Sequence, residues 1–540
     1  MWPLKEVDQA AIARLSAESR EPNLVCRLLW LRGVRDAESV RRWLNPSIEH
    51  LHPPELLPDF ALAVARIKQA IERREPILLW GHDDLDGISS IVILYRLLTD
   101  LRADVRYHIP TRGRERHGLD AAAATDFVRD GVRLIVTVDC GITNRDQVEL
   151  LRAQGIGVVV TDHHEVPEQM PDAVANVDAK RPDSRYPYRG LASAGVSLKL
   201  GLGLVSDRLG ASVAEFLSVQ PDLFAMAVLG TVADRVPLTG ENRTLVVLGL
   251  RRLGATRIPA VRAVLEHVGT VGRLTLSQFV AGLLPFFAAA RGNEAVDKFL
   301  NANMDDARAW VGELSAQSEE WRAEAERSYA IAQAAVRVGD GVLFACSREL
   351  SLRALGSCAA RLKDLYQLPA IVTGWRGDAW VGECRGIDGV SLLDLLDNCR
   401  RFLIDYGGHK KAAGFTIADD QVAGFTRCAE EYAHEHFAGR IQPENVVRAD
   451  AVLPVAEFDP ALAVLAPFGD GNPPPVFVSD SVRLQPRDAG WAPEERPELS
   501  FRAPRREVGI EPGVPVRLLY TMDDLGELAV LSARPAVNGG

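Results

Sequence analysis

The sequence predicts an α/β protein of several domains: a parallel-sheet domain, a long connecting helix, a smaller second α/β domain and a C-terminal β-barrel. Three observations carry that prediction. Short apolar runs alternate with helix-like stretches through the first half, a charged stretch without breakers follows, and the tail turns Pro-rich with short strand-like runs. Strand–helix–strand alternation implies a parallel sheet covered on both faces. At 540 residues the chain is also too long for one core.

Texture sets the boundaries. Residues 1–50 read as a helical arm, 51–300 as the parallel-sheet domain, 301–337 as the connecting helix, 338–440 as the second α/β domain and 441–540 as the barrel. In the first α/β domain "PILLW" ends near Trp80, "VRLIVTV" runs from Val132 to Val138, and "IGVVVT" runs from Ile156 to Thr161. Between them lie "SSIVILYRLLTDL" and "DQVELLRAQG", which read as helices. From Asp305 to about Arg337 nothing interrupts a helix. Beyond it "GVLFAC", "LPAIVTG" and "AWVGECRGI" are strands of the second domain, and "PPPVFVSDSVRLQP", "LSFRAP" and "VPVRLLYTM" suggest the small barrel.

Bulk numbers narrow the functional classes. A composition of 47% hydrophobic and 25% charged residues is that of a soluble globular protein. The net charge of −11 excludes a chain that is basic all over, but it is compatible with a local basic groove. The seven cysteines form no CxxC pair, which fits buried thiols in a reducing cytosol better than disulfides or a zinc ribbon. With neither a signal-like leader nor an apolar run of membrane length, a cytoplasmic protein is expected.

Acidic residues gather where strands end. "ILLWGHDDLDGISS" stops an apolar strand at Gly81 and then crowds His82, Asp83, Asp84 and Asp86 together. Like charges that close are costly to bury without a cation, so the stretch is either a solvated loop or a metal site. Asp139 follows "VTV", Asp162, His163 and His164 follow "VVVT", and Asp234 follows the apolar run in "MAVLGTVADRVPL". Singly, each has a blander reading: "DDLDG" as a turn, "DHH" as a helix N-cap, Asp139 or Asp234 as a strand-end acid. Jointly, their placement after successive apolar runs favours one site at the carboxyl edge of a sheet. Carboxylates with imidazoles and no thiolates suit Mn²⁺ or Mg²⁺, and enough of them hold two ions for in-line attack on a phosphodiester.

With "DHH" at 162–164, the chain resembles the DHH phosphoesterase superfamily and, within it, the RecJ single-strand-specific exonucleases. Further similar wording lies in "LLWLRGVRDAESVRRWLNP", "IPTRGRERHGL", "VTVDCGITN" and "RYPYRGLASAGVSLKL". "YGGHKKAAGF" at 406–415 resembles the signature of the associated DHHA1 domain, and "LAPFGDGNPPPVF" at 465–477 the start of an OB-like domain. The similarity covers nearly the whole chain in order. It implies a DHH domain, a DHHA1 domain and an OB-like barrel in the places assigned above. It implies Asp84, Asp86, Asp139, His163 and Asp234 as metal ligands, Asp139 as the bridge, His164 as the contact to the scissile phosphate, and Asp162 as its support. Gly407, Gly408, His409 and Lys410 are implied as phosphate contacts, with Arg112, Arg291 and Arg385 as further ones.

The chain also departs from the family. "HDDLDG" puts His82 where the family carries an aspartate; an imidazole can still ligate Mn²⁺, so His82 joins the ligand candidates. "LPFFAAAR" retains Arg291 but has Pro285 and Phe287 at polar family positions, and "SLRALG" has Ser351 and Arg353 in the DHHA1 half. The expected function is a metal-dependent 5′-to-3′ exonuclease on single-stranded DNA, using two Mn²⁺ or Mg²⁺ ions to activate water. Single-strand-binding protein is an expected partner and a monomer the expected state. Two alternatives stand beside it: a phosphodiesterase of short oligonucleotides or cyclic dinucleotides, and a non-catalytic DNA-binding scaffold.

Overall fold

Ile77 to Trp80 form strand β1 with all four side chains buried, the pattern of a strand covered on both faces. The structure, a computed structural model, describes residues 2–111, 115, 118–206, 213–218, 220–269, 274–387, 389–408, 410–437, 447–487, 490–502 and 510–536. They form two compact units, Met1–Leu314 with Arg448–Gly540, and Ser315–Val447. The first unit begins with helices α1 (Gln9–Ser19), α2 (Asn23–Leu31) and α3 (Ala37–Leu44), followed by α4 (Phe60–Arg73).

In that unit β1 pairs in parallel with β2 (Val105–His108) on one side and β3 (Leu134–Val138) on the other. Strands β4 (Gly157–Thr161) and β5 (Ala175–Val177) extend the parallel sheet to the order β2-β1-β3-β4-β5. Chain leaving β1 thus goes to both sides of it, the topology that opens a crevice at the carboxyl ends of the strands. Alternation sends Ile77 and Leu79 into one core with α4, α5 (Leu85–Asp100) and α8 (Ser193–Val205). Leu78 and Trp80 enter the opposite core with α6 (Ala121–Arg129) and α7 (Arg145–Ala153).

The apolar run before Asp234, grouped above with strand-like runs, is a helix, Pro221–Ala233. Its 13 residues are buried almost all round, so no helical periodicity marks it in the sequence. Asp234 therefore arrives at the edge of the sheet from a helix end.

The connecting helix runs from Met304 to Ala334. The second unit holds a six-stranded sheet of β6 (Val336–Val338), β7 (Leu343–Ser347), β8 (Ala370–Trp375), β9 (Trp380–Arg385), β10 (Leu403–Gly408) and β11 (Ala412–Ile417). Its order is β10-β11-β9-β8-β7-β6, with β7 and β8 parallel and the other pairs antiparallel. Within "YGGHKKAAGF", Tyr406, Gly407 and Gly408 of β10 pair with Phe415, Gly414 and Ala413 of β11.

The C-terminal segment forms β12 (Ala451–Val452), β13 (Val476–Arg487), β14 (Gly490–Pro493), β15 (Phe501–Arg502), β16 (Pro515–Met522) and β17 (Leu528–Pro535). Pairings link β13, β14, β15, β17 and β16 in a circuit that returns to β13, with β14–β15 contributing the single pair Trp491–Phe501. These strands share one hydrophobic core with α1–α3: Ile12, Leu28 and Leu29 pack in the cluster that holds Phe477, Phe501 and Tyr520. All seven cysteines are free. Among the described residues, no helix is long and apolar enough to cross a membrane.

Candidate metal centre

The β1–α5 turn folds back on itself around Asp84. As N-cap of α5, Asp84 accepts the amides of Asp86 (3.1 Å) and Gly87 (3.0 Å) through Oδ1. This leaves Oδ2, which lies 2.9 Å from Nδ1 of His82. Gly87 permits the fold: a Cβ there would sit 2.4 Å from the His82 carbonyl oxygen and 2.7 Å from its nitrogen. Both obstacles are backbone. Gly87→Ala is therefore expected to cost about 1–3 kcal/mol of stability in urea unfolding and to weaken metal binding along with it. A variant as stable as wild type would refute the close approach.

Asp86, on the first turn of α5, is 1% exposed and faces the start of α8. Its carboxylate accepts the amides of Ser193 and Ala194, each at 2.8 Å. The "RYPYRGLASAGV" segment thus has a physical role, supplying a helix N-terminus to a buried acid. Space for that acid is cleared by Gly230, where a Cβ would meet Asp86 Oδ1 at 2.4 Å.

Asp139, directly after β3, is 2% exposed and adopts a left-handed backbone with φ of 61°. Its amide is held by the Thr161 carbonyl at 3.1 Å. A left-handed non-glycine residue is strained, and such strain concentrates at functional sites. His163, after β4, brings Nε2 to 3.0 Å from Asp139 Oδ1, 3.6 Å from Asp234 Oδ2 and 3.8 Å from Asp86 Oδ2. Nδ1 of His82 lies 3.6 Å from Asp139 Oδ2. Three sets of donors each lie within the span of one ion: His82, Asp84 and Asp139; Asp139, His163 and His164; and Asp86, His163 and Asp234. Asp139 thus stands between the His82 and His163 sides.

Electrostatics mark the same place. Although burial pushes imidazoles down, pairing with Asp139 and Asp84 holds His82 up at about 10. His163 is likewise held up at about 10 against burial, by Asp139 and then by Asp86 and Asp234. Asp86 is pushed well above the carboxylate range by burial and by the charge of Asp139. Burial raises Asp234 to about 6, with His163 opposing the rise and Asp139 adding to it. Asp139 Oδ1 and His163 Nε2 are both buried without an aligned hydrogen bond. Buried polar atoms left so call for an ion, and an O/N donor set without thiolate fits Mn²⁺ or Mg²⁺.

Asp162 does not face these donors. Oδ1 accepts the amides of His163 (2.8 Å) and His164 (3.2 Å) and lies 2.7 Å from His164 Nδ1, while Oδ2 accepts the amide of Ile142 at 3.0 Å. His164 is held by this carboxylate and keeps 45% of its side chain exposed. Asp83 turns away to accept the amide of Gly292 at 2.8 Å, next to Arg291, which is exposed and donates to the Ala290 carbonyl. Asp178 was missed in the sequence because β5 ahead of it is only three residues long. It is fully buried, burial raises its carboxyl to about 7, and its Oδ2 has no hydrogen-bond partner.

The remaining expected contacts lie elsewhere. Arg385 ends β9 and pairs with Glu383 at 2.8 Å in the second unit. Gly407 and Gly408 pair with Gly414 and Ala413 in the hairpin, and Lys410 is exposed beyond them. Gly408 has φ of 134°, and a Cβ there would lie 2.5 Å from the Ala412 carbonyl. Arg112 and His409 lie outside the described residues.

Comparison with known proteins agrees with this architecture. The profile of the DHH family, N-terminal domain, matches residues 76–228, which hold every cluster residue except Asp234. The single-stranded-DNA-specific exonuclease RecJ of Bacillus subtilis is 29% identical over 91% of this chain, and the chain spans 63% of that protein's length. RecJ of Dickeya dadantii is 30% identical, with 87% of this chain and 85% of the relative covered. The crystal structure of Thermus thermophilus RecJ in complex with Mn²⁺ superposes with a TM-score of 0.79 at 25% identity, covering 100% of this chain and 80% of that one. With its DHH-type sheet, its cluster at the strand ends and similarity along nearly its whole length, the chain belongs to the RecJ family.

Proposed function

We propose that the protein is a metal-dependent 5′-to-3′ exonuclease that hydrolyses phosphodiester bonds in single-stranded DNA. The observation that carries this reading is the place of Asp139 between two donor groups: its Oδ2 lies 3.6 Å from His82, which groups with Asp84, and its Oδ1 lies 3.0 Å from His163, which groups with Asp86 and Asp234. Those residues would hold two divalent cations, which supply Lewis-acid charge for in-line attack of water on phosphorus. The names of the RecJ relatives support the substrate.

The chain's own groups have defined tasks in this reading. Asp84 and Asp86 are oriented by backbone amides, so their free lone pairs are aimed before a cation arrives. His164 has its pKa raised by the hydrogen bond to Asp162 and presents a partly exposed ring to a phosphate oxygen. Arg291, Arg385, Gly407, Gly408 and Lys410 would contact the strand's backbone, as would Arg112 and His409. Single-strand-binding protein as partner, a monomeric state and a cytoplasmic setting complete the proposal.

A 5′-labelled single strand incubated with Mn²⁺ should release labelled mononucleotide, and a duplex should resist. No cleavage of single strands of any length by the purified protein would overturn the reading.

The site also predicts a pH dependence. Without a cation, His82 and His163 keep their protons up to about pH 10, so a metal must displace them. Affinity for Mn²⁺ should therefore rise with pH, by about 10- to 100-fold per unit between pH 7 and 9. Titration calorimetry in buffers of different ionisation enthalpy should report between one and two protons released per protein. Binding without proton release would remove both imidazoles from the ligand set.

A further inference from the structure

Two guanidiniums in the first unit have carbonyl partners but no carboxylate. Arg243, 3% exposed, donates through Nε to the Trp43 carbonyl at 3.1 Å and through Nη2 to those of Val464 (3.2 Å) and Ala466 (2.7 Å). Arg32 donates to Asn472 Oδ1 and to the carbonyls of Leu28 and Pro473. Among the described residues neither forms an ion pair, and Nη1 of Arg243 has no hydrogen-bond partner. Burial lowers Arg243 to about 9, and the positive charge of Arg32 adds to the effect. A buried cation offset only through space is costly, and an anion held by Arg32 nearby would lower that cost.

Both side chains line one cavity of about 530 Å³. Arg42 of α3 joins them there, as do Thr239 and Gly240 at the start of helix Gly240–Arg252. Thr239 is the N-cap of that 13-residue helix, yet its side chain caps no amide. The helix adds positive charge at its N-terminus, and the amides of a first helical turn are donors suited to an anion. The acid in the wall, Glu241, is already engaged by Lys199 at 2.6 Å and by the Tyr186 hydroxyl at 2.5 Å.

We propose that this cavity binds a phosphate dianion, either free or as the terminal group of a small phosphomonoester, between Arg32, Arg42 and the start of helix Gly240–Arg252. Guanidinium forks match phosphate oxygens in pairs, and the volume admits a ligand the size of a mononucleotide. None of these residues belongs to the acidic cluster, so the inference does not rest on the proposed nuclease chemistry.

Hydrogen–deuterium exchange of the full chain tests it, with inorganic phosphate, a 5′-mononucleotide or an oligonucleotide lacking terminal phosphate added at matched ionic strength. Phosphate or mononucleotide should slow exchange in peptides covering 32–44 and 239–252. Tighter protection by the mononucleotide identifies the phosphomonoester as the ligand, and equal protection identifies free phosphate. Arg42→Gln should raise the concentration required about fivefold, since its exposed pairing with Glu38 matters little to folding. Arg41→Gln, one residue away and not in the cavity wall, should leave it unchanged. The proposal fails if about 10 mM of either ligand leaves both peptides unprotected. It fails equally if neither Arg42→Gln nor Arg32→Lys weakens the protection, or if only the oligonucleotide protects them.

Discussion

Replacing Asp139 with asparagine is expected to lower single-strand cleavage by at least about a thousandfold while leaving the fold in place. Asparagine has the shape of aspartate and is one of the few residues that tolerates a left-handed backbone, which Asp139 adopts with φ of 61°. Stability should therefore move by no more than about 1 kcal/mol in urea. Pairing lost with His82 and His163 opposes repulsion relieved at Asp86 and Asp234. Function is different, because Asp139 is the acid common to the groups His82–Asp84–Asp139 and Asp139–His163–His164. Losing its charge weakens the hold on both ions at once, and calorimetry should show Mn²⁺ affinity falling with activity. Asp83→Asn is the matched control. Asp83 lies in the same acidic turn but points to the Gly292 amide, so cleavage should stay within about tenfold of wild type. If the two variants retained similar activity, the sharing of Asp139 would be without catalytic meaning.

Which parts of this were legible in the sequence follows from the kind of signal each residue carries. β1, β3 and β4 are largely apolar runs followed by Gly or Asp, so both the strands and the acids at their ends could be read directly. β2, "VRYH", is half-buried throughout and polar in composition, and β5 has only three residues; neither shows a pattern above background. Asp178 was lost with β5. Asp234 was found for the wrong reason, because a helix buried all round and a buried strand are both simply apolar. Orientation was legible nowhere. The sequence offers His82, Asp83, Asp84 and Asp86 as equals, and only backbone geometry turns Asp83 to Gly292 while Asp84 and Asp86 are aimed by amides from α5 and α8. Cavity charge was equally hidden, since Arg243 joins Arg32 and Arg42 from about 200 residues farther along the chain.

Lys199→Met is expected to destabilise the first unit by about 3–5 kcal/mol, the largest stability effect of any single substitution predicted for this chain. Lys199 and Glu241 are 2% and 1% exposed, and their charges meet at 2.6 Å. Nζ also donates to the His52 carbonyl at 2.5 Å, while Glu241 accepts the His52 amide (2.7 Å) and the Tyr186 hydroxyl (2.5 Å). Burial works against the cation, lowering the pKa of Lys199, so the pair holds because each charge answers the other. Removing one leaves a carboxylate enclosed by protein, which costs more than the pair was worth. The double variant Lys199→Met with Glu241→Gln should accordingly recover at least about 2 kcal/mol of the loss in urea unfolding. Additive effects would show that the charges do not depend on each other. A second readout links the network to the site. Lys199 lies on α8, the helix whose first amides hold Asp86, and Glu241 anchors it from helix Gly240–Arg252. Loosening α8 should weaken Mn²⁺ binding in Lys199→Met protein that is still folded, and the double variant should restore it.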